Sequence, residues 1–260
     1  MDVEWELREA GPLDAEHTVL FLPGGMCSAG SYAEVMAESA LARTRLVAAT
    51  LPGHAGAPPP DDCSVENYAR LTAELATRVG ADVVVGFSMG ASVALEMVAS
   101  GGFTGPAVLL GISLSAKDEP AFFRAIVRLG SVLGSLPAAV LAKGAASMVK
   151  RIPVSAERQG ELREDFRKNV PQHMRSGLRE YVRWLHRHER PAERLCRAGV
   201  PTWIVHAEKG DGGLTDEERR TLEGCAHARL VTIPGNVFLL PNEVPERVAE
   251  VVSEAVSHLG

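Results

Sequence analysis

The stretch Gly86-Phe87-Ser88-Met89-Gly90 sets a serine between two glycines, where the apolar run "DVVV" gives way to the helical "ASVALEMVAS". A serine on a tight strand-to-helix turn is lifted above the edge of a sheet, and its hydroxyl sits at a helix N-terminus that favours developing negative charge. Glycines on either side let neighbouring backbone approach closely, which is also what a plain βα turn of small residues would need. A serine hydroxyl keeps its proton near neutral pH, so nucleophilic chemistry requires a base within hydrogen-bond reach and a third group to orient that base. What the chain could do turns on which residue takes that proton.

The elements around this turn are legible as short apolar runs alternating with helical patterns: "HTVLFLP" (17–23), "RLVAATLP" (45–52), "ADVVVGF" (81–87) and "AVLLGIS" (107–113). Nearly continuous apolar strands separated by helices predict an α/β fold, a mostly parallel doubly wound sheet buried on both faces. Between the strands, "SYAEVMAESALA" (31–42) and "SVENYARLTAELATRV" (64–79) repeat apolar residues at helical spacing. From about 115 to 200 the pattern is helical, in "EPAFFRAIVRLGSVL" (119–133), "AERQGELREDFRKNV" (156–170) and "QHMRSGLREYVRWLHRHER" (172–190). Strands then return at "PTWIVHA" (201–207) and "ARLVTIPG" (228–235), and "EVPERVAEVVSEAVSHL" (243–259) forms a last amphipathic helix. Thr215 and Glu218 have the spacing of a capping box. The expected organisation is a core of residues 1–114 and 201–260 with a helical cap, 115–200, inserted before the penultimate strand, over the carboxyl ends where open α/β sheets place ligands.

Four segments, "FLPGGMCSAGSY" (21–32), "TLPGHAGAPPP" (50–60), "VVGFSMGAS" (84–92) and "VHAEKGDGGLTDEE" (205–218), make the chain resemble the α/β-hydrolase superfamily over almost its whole length. The resemblance implies that Ser88 is the nucleophile. It also implies that the backbone N–H of Gly25, or of Met26 if the register slips, and that of Met89 form an oxyanion hole, a feature that contributes about 3–4 kcal/mol to transition-state stabilisation in such enzymes. Pro23 stands where the family has a histidine, which backbone donors tolerate. The family's acid, commonly G-x-x-D after the penultimate strand, corresponds to Asp211, with Glu208 second and a solvated loop carboxylate as the ordinary alternative.

The family's histidine follows the last strand, and the text there is "TIPGNVFLLPNEVPE" (232–246), which aligns Val237 with it. Valine accepts no proton, and the adjacent Asn236 is no base. Eight histidines are present. His17 and His227 precede strands, and His258 ends the final helix, all away from the expected site. His206 at a strand's carboxyl end and His54 in "LPGHAG" are the alternative bases, each with a structural use beside it: a packed strand histidine and a loop-shaping one. His186 and His188, two apart on a helix, point in different directions, and His173 has a weaker claim.

The bulk properties narrow the partners. The chain is 46% hydrophobic and 23% charged with a net charge of −6, an ordinary globular composition with no basic face for nucleic acid. The opening "MDVEWELREAG" has neither the basic start nor the apolar stretch of a secretory leader, so a cytoplasmic location is expected. "PAAVLAKGAASMV" (137–149) is too short and interrupted to cross a membrane. Cys27, Cys63, Cys196 and Cys225 show no metal-ligand spacing and are expected as free thiols. No metal, phosphate-cradling or dinucleotide motif appears, so no cofactor is implied and a small-molecule substrate or ligand is the expected partner. Apolar residues Phe122, Phe123, Ile126, Val132, Leu133, Val140, Leu141 and Met148 of the cap either line a pocket or pack the cap onto the sheet.

Three functions stay open. The first is a hydrolase acting on a small ester, thioester or other acyl or carbonyl substrate, weak for want of the triad histidine. The second is a non-catalytic small-molecule-binding member of the fold. The third is an isomerase, lyase or cyclase that uses the oxyanion hole without an acyl-enzyme.

Overall fold

The structure is a computed structural model that describes residues 3–119, 149–188, 190–209 and 213–260, with positions 144 and 147. Seven strands form one sheet in the order β1-β3-β2-β4-β5-β6-β7. They are β1 (Leu7–Ala10), β2 (Thr18–Leu22), β3 (Arg45–Ala49), β4 (Val83–Phe87), β5 (Ala107–Leu110), β6 (Thr202–Lys209) and β7 (Ala228–Asn236). All neighbours pair in parallel except β1, which runs antiparallel to β3. Strands β2, β4 and β5 are buried at every residue, as strands covered on both faces must be.

Among the described residues the helices are α1 (Ala33–Met36), α2 (Val65–Val79), α3 (Met89–Ala99), α4 (Ala156–Lys168), α5 (Pro171–Arg187), α6 (Pro191–Ala198), α7 (Asp216–Glu223), α8 (Leu240–Glu243) and α9 (Pro245–Ser257). Helices α2, α3, α5, α6 and α7 share one core cluster with one face of the sheet, while α1, α8 and α9 share another with the opposite face. This is the doubly wound layering the alternating pattern predicts. Helix α3 is buried from Met89 to Val98, mostly apolar because it runs between the sheet and the α2, α5 and α6 layer, with Glu96 as its one charged residue.

Local chemistry sets the ends. Ser64 accepts the Asn67 N–H to start α2, and Gly80 closes it in the left-handed region at φ 67°. The Thr215–Glu218 capping box forms in both directions. Three elements depart from the sequence pattern. β1 is an exposed edge strand with no apolar alternation, stabilised through its ladder to β3. The predicted helix over 31–42 is broken into the single turn α1 between two 3₁₀ turns, Ala29–Tyr32 and Ser39–Leu41. Helix α6 starts at Pro191, the residue type pre-set for a first helical turn. The predicted helix over 119–133 and the apolar residues from Phe122 to Met148 lie outside the described residues. Among the described residues, no helix is long and apolar enough to cross a membrane.

Because β2 to β7 all point the same way, the chain that follows each of them gathers at one edge. Ser88, the Gly24–Met26 turn, His54 and Val237 all emerge there.

Candidate active site at the carboxyl edge

Ser88 sits between β4 and α3 with φ 50° and ψ −115°, a conformation that costs a non-glycine residue on the order of 1–3 kcal/mol. The surroundings hold it there. Its N–H donates to Leu110 O at 2.9 Å, and its carbonyl accepts from Ala91 N at 2.9 Å and Ser92 N at 3.1 Å. A Cβ on Gly90 would fall 2.2 Å from Leu22 O, and one on Gly86 would fall 2.3 Å from Gly90 O. Only glycine fits at either position: Gly90 because the elbow presses on the end of β2, and Gly86 because the first turn of α3 lies directly over it.

The turn after β2 lies against this elbow. A Cβ on Gly24 would meet the Phe87 ring at 3.0 Å and Ser88 Cβ at 3.5 Å, and one on Gly25 would be 3.7 Å from Met89 Sδ. Met26 is in the left-handed region at φ 72°. Its N–H donates to His54 Nδ1 at 3.0 Å, and its carbonyl accepts from Asn169 Nδ2 at 2.8 Å. Further along, Ala29 N–H donates to Thr50 Oγ1 at 2.8 Å, and Tyr32 Oη donates to Leu22 O at 3.1 Å.

His54 is buried, and because its Nδ1 receives an N–H its proton must reside on Nε2. Burial pushes its pKa down to about 4, so the ring is neutral at physiological pH with its Nδ1 lone pair occupied by Met26. His206 is buried in β6 opposite Thr232. Trp203, Val205 and Ala207 face the α9 side of the sheet, and Ile204 faces the α3 side, so alternation turns His206 to the α3 side.

The remaining imidazoles are placed elsewhere. His17 lies 3.8 Å from Asp82, His188 Nε2 lies 3.1 Å from Glu66, and His258 packs edge-on against Trp203. His173 and His186 are on α5, and His227 is exposed before β7. Among the described residues, no hydrogen bond joins the Ser88 hydroxyl to an imidazole.

Val237 is 6% exposed and shares the apolar cluster of Phe87, Ala207, Ile233 and Leu240. Its N–H donates to Lys209 O at 2.9 Å, and the next two amides, Phe238 and Leu239, both donate to the Glu243 carboxylate, at 2.9 and 2.6 Å. Glu208 is exposed and accepts the Gly235 N–H at 3.1 Å. Asp211 lies outside the described residues.

The sequence reading passed over the groups that hold these loops. Asn169 follows α4, and nothing in its neighbourhood marks it. Arg158 of α4 pairs with Glu34 at 2.6 Å and reaches Gly30 O, while Ser28 bonds Asp165. Leu162 and Phe166 of α4 pack on Met26, Cys27 and Leu239. Asp118, after β5, was also missed. It is buried, its Oδ2 accepts from Leu114 N, Ser115 N and Ser115 Oγ at 3.0, 2.7 and 3.0 Å, and burial together with neighbouring Glu218 pushes it up to about 6. Among the described residues, no group of His, Cys, Asp and Glu side chains could hold a metal ion, and all four cysteines are free.

The architecture has many solved counterparts. An esterase from Thermogutta terrifontis superposes with a TM-score of 0.74 at 18% identity, covering 98% of this chain and 94% of that one. The enol-lactonase from Burkholderia xenovorans LB400 gives 0.76 at 14% identity, covering 98% and 97%. The thioesterase domain from the curacin biosynthetic pathway gives 0.70 at 18% identity, covering 95% and 94%. A search of curated proteins finds no match. The family model described as the alpha/beta hydrolase family matches residues 19–251, a span running from β2 into α9, and the chain therefore belongs to the α/β-hydrolase family.

Proposed function

We propose that the chain acts on a small ester, thioester or other acyl or carbonyl substrate, with Ser88 at the nucleophile position and hydrolysis slow for want of a triad histidine. The observation that carries this reading is the strained Ser88 elbow seated against the Gly24–Gly25 turn. A carbonyl carbon above Ser88 Oγ would place its oxygen toward the backbone N–H groups of Gly25 and Met89. Met26 N–H is committed to His54, which leaves Gly25 as the donor from its loop. Esterases, a thioesterase and an enol-lactonase among structures of the same fold support the substrate class.

Attack by Ser88 requires its proton to leave as the oxygen bonds the carbonyl carbon. In the sequence resemblance, Val237 aligns with the residue that would take it and Asp211 with the residue that would orient that base. Loss of triad members lowers turnover by a factor of about 10⁴ to 10⁶, leaving about 10³–10⁴ over water from the oxyanion hole and binding. His206, turned to the α3 side, is the remaining alternative base. The lack of an imidazole bond to Ser88 among the described residues also favours a second reading: the same cradle serving an isomerase, lyase or cyclase through an enolate, or simple binding.

The test pairs two variants. Ser88→Ala should abolish labelling by a fluorophosphonate, and Val237→His should raise hydrolysis of an activated ester by at least about tenfold, a small part of the triad's worth. A folded Val237→His protein with unchanged hydrolysis would count against this placement of the site. Product formed without net uptake of water would select the isomerase or cyclase reading.

A further inference from the structure

Asn169 is buried at the end of α4 and uses both ends of its amide. Nδ2 donates to Met26 O at 2.8 Å, Asp165 O at 2.9 Å and Phe166 O at 3.3 Å, and Oδ1 accepts the Ala55 N–H at 3.0 Å. The amide can face only one way, since carbonyl oxygens surround Nδ2, whose two N–H groups serve them with Phe166 O sharing the weakest contact, and one N–H needs its acceptor. The two backbones it joins are both strained: Met26 at φ 72° and Ala55 at φ 47°.

The bond to Met26 O reaches the Ser88 elbow through two rigid planes. A trans peptide is flat, with its C=O and N–H pointing in opposite directions. Asn169 holds the carbonyl of the Met26–Cys27 peptide, which aims the Cys27 N–H the other way, and that N–H donates to Gly24 O at 3.1 Å. Gly24 O belongs to the Gly24–Gly25 peptide, whose N–H is that of Gly25. Fixing its carbonyl therefore fixes the direction of the Gly25 N–H. His54 holds the peptide between these two by its Met26 N–H. Glycines alone would leave such a turn free to rotate.

We propose that Asn169 is a positioning residue, which aims the Gly25 N–H at the substrate oxygen above Ser88 through the Met26–Cys27 and Gly24–Gly25 peptides. This rests on the reading of Gly25 as an oxyanion donor. Aspartate would set a carboxylate oxygen against three carbonyls, and alanine would leave Met26 O and the Ala55 N–H without their partner.

The test compares Asn169→Asp and Asn169→Ala with Ser155→Ala, which loosens α4 by removing its N-cap bond to Arg158 N without touching the loop. The measurements are the rate constant and half-saturation concentration for inactivation by a fluorophosphonate, and amide hydrogen exchange over residues 24–27 and 54–57. Both Asn169 variants should lower the limiting inactivation rate about tenfold to a hundredfold, somewhat less than deleting a donor outright. Half-saturation should stay within about threefold, and exchange at Met26 and Ala55 should quicken. Ser155→Ala should keep the limiting rate within about twofold. An unchanged limiting rate in the Asn169 variants, or an equal loss in Ser155→Ala, overturns the proposal. If the native chain is not labelled, the nucleophile reading of Ser88 fails on its own, and the exchange data still decide: faster exchange in both loops of the Asn169 variants upholds the holding role, and unchanged exchange overturns it.

Discussion

Helix α4 and the pair α5–α6 belong to the same stretch between β5 and β6, yet they meet the core in different ways. Helix α4 meets loops: its Arg158, Asp165 and the following Asn169 bind backbone and side chains of residues 26–34 and 55. Helices α5 and α6 meet a helix. Trp184 Nε1 donates to Glu96 at 3.0 Å, and Arg194 forks onto both Glu96 oxygens at 2.8 and 2.9 Å, low on the flank of α3. Burial pushes the Glu96 carboxyl up, but the bonds from Arg194 and Trp184 outweigh it and hold it below the usual carboxylate range. The difference teaches that one stretch between two strands does two jobs. The α4 part shapes peptides at the carboxyl edge, where angles matter, and the α5–α6 part braces the helix behind Ser88, where rigidity matters.

If this division is right, Glu96→Ala should cost the most stability and the least chemistry. It leaves a guanidinium and an indole N–H without their shared partner, a loss of about 3–5 kcal/mol. Denaturant titration would measure it, and the folded fraction should still label at Ser88 within about twofold. A large fall in labelling at unchanged fold would merge the two regions into one.

The loop side should be set apart by its response to acid. His54 takes up a proton at about 4 when folded and near 6.5 when unfolded. The unfolded chain thus holds the extra proton between those values, and stability must fall as pH drops from 6.5 to 4, by about 3 kcal/mol. Asp118, pushed up to about 6, works in the opposite direction: its share is present below the ordinary carboxylate range and is lost as pH rises through 6. A His54→Gln variant keeps an acceptor for Met26 and keeps Asp118, so the difference between the two proteins isolates the imidazole. Parallel pH profiles for both would remove His54 from the account. The smallest effect belongs to Ser155→Ala, whose lost cap should cost α4 about 1 kcal/mol in thermal unfolding.

The sequence exposed what is local. The buried strands show as apolar runs, the elbow as two glycines that steric contact requires, and the α7 start as a capping box. Edge strand β1 gave no such pattern, because its residues are largely exposed and its hold on the sheet is the backbone ladder to β3. The ties around Met26 escaped because they are long-range. Met26 meets His54 28 residues away and Asn169 143 residues away, and periodicity carries no trace of separations that long.

One of these ties reaches further still. Asn242 donates to Ser31 O and to Glu34, across 211 positions for the first of these, and Glu34 is the anchor for Arg158 of α4. During synthesis the early strands emerge first, and the bonds from Asn242 to Ser31 and Glu34 can form only after residue 242 has left the ribosome. The nascent polypeptide thus carries Ser88 long before this last tie is made, and the packing of the Ser31–Glu34 segment is completed only with α8.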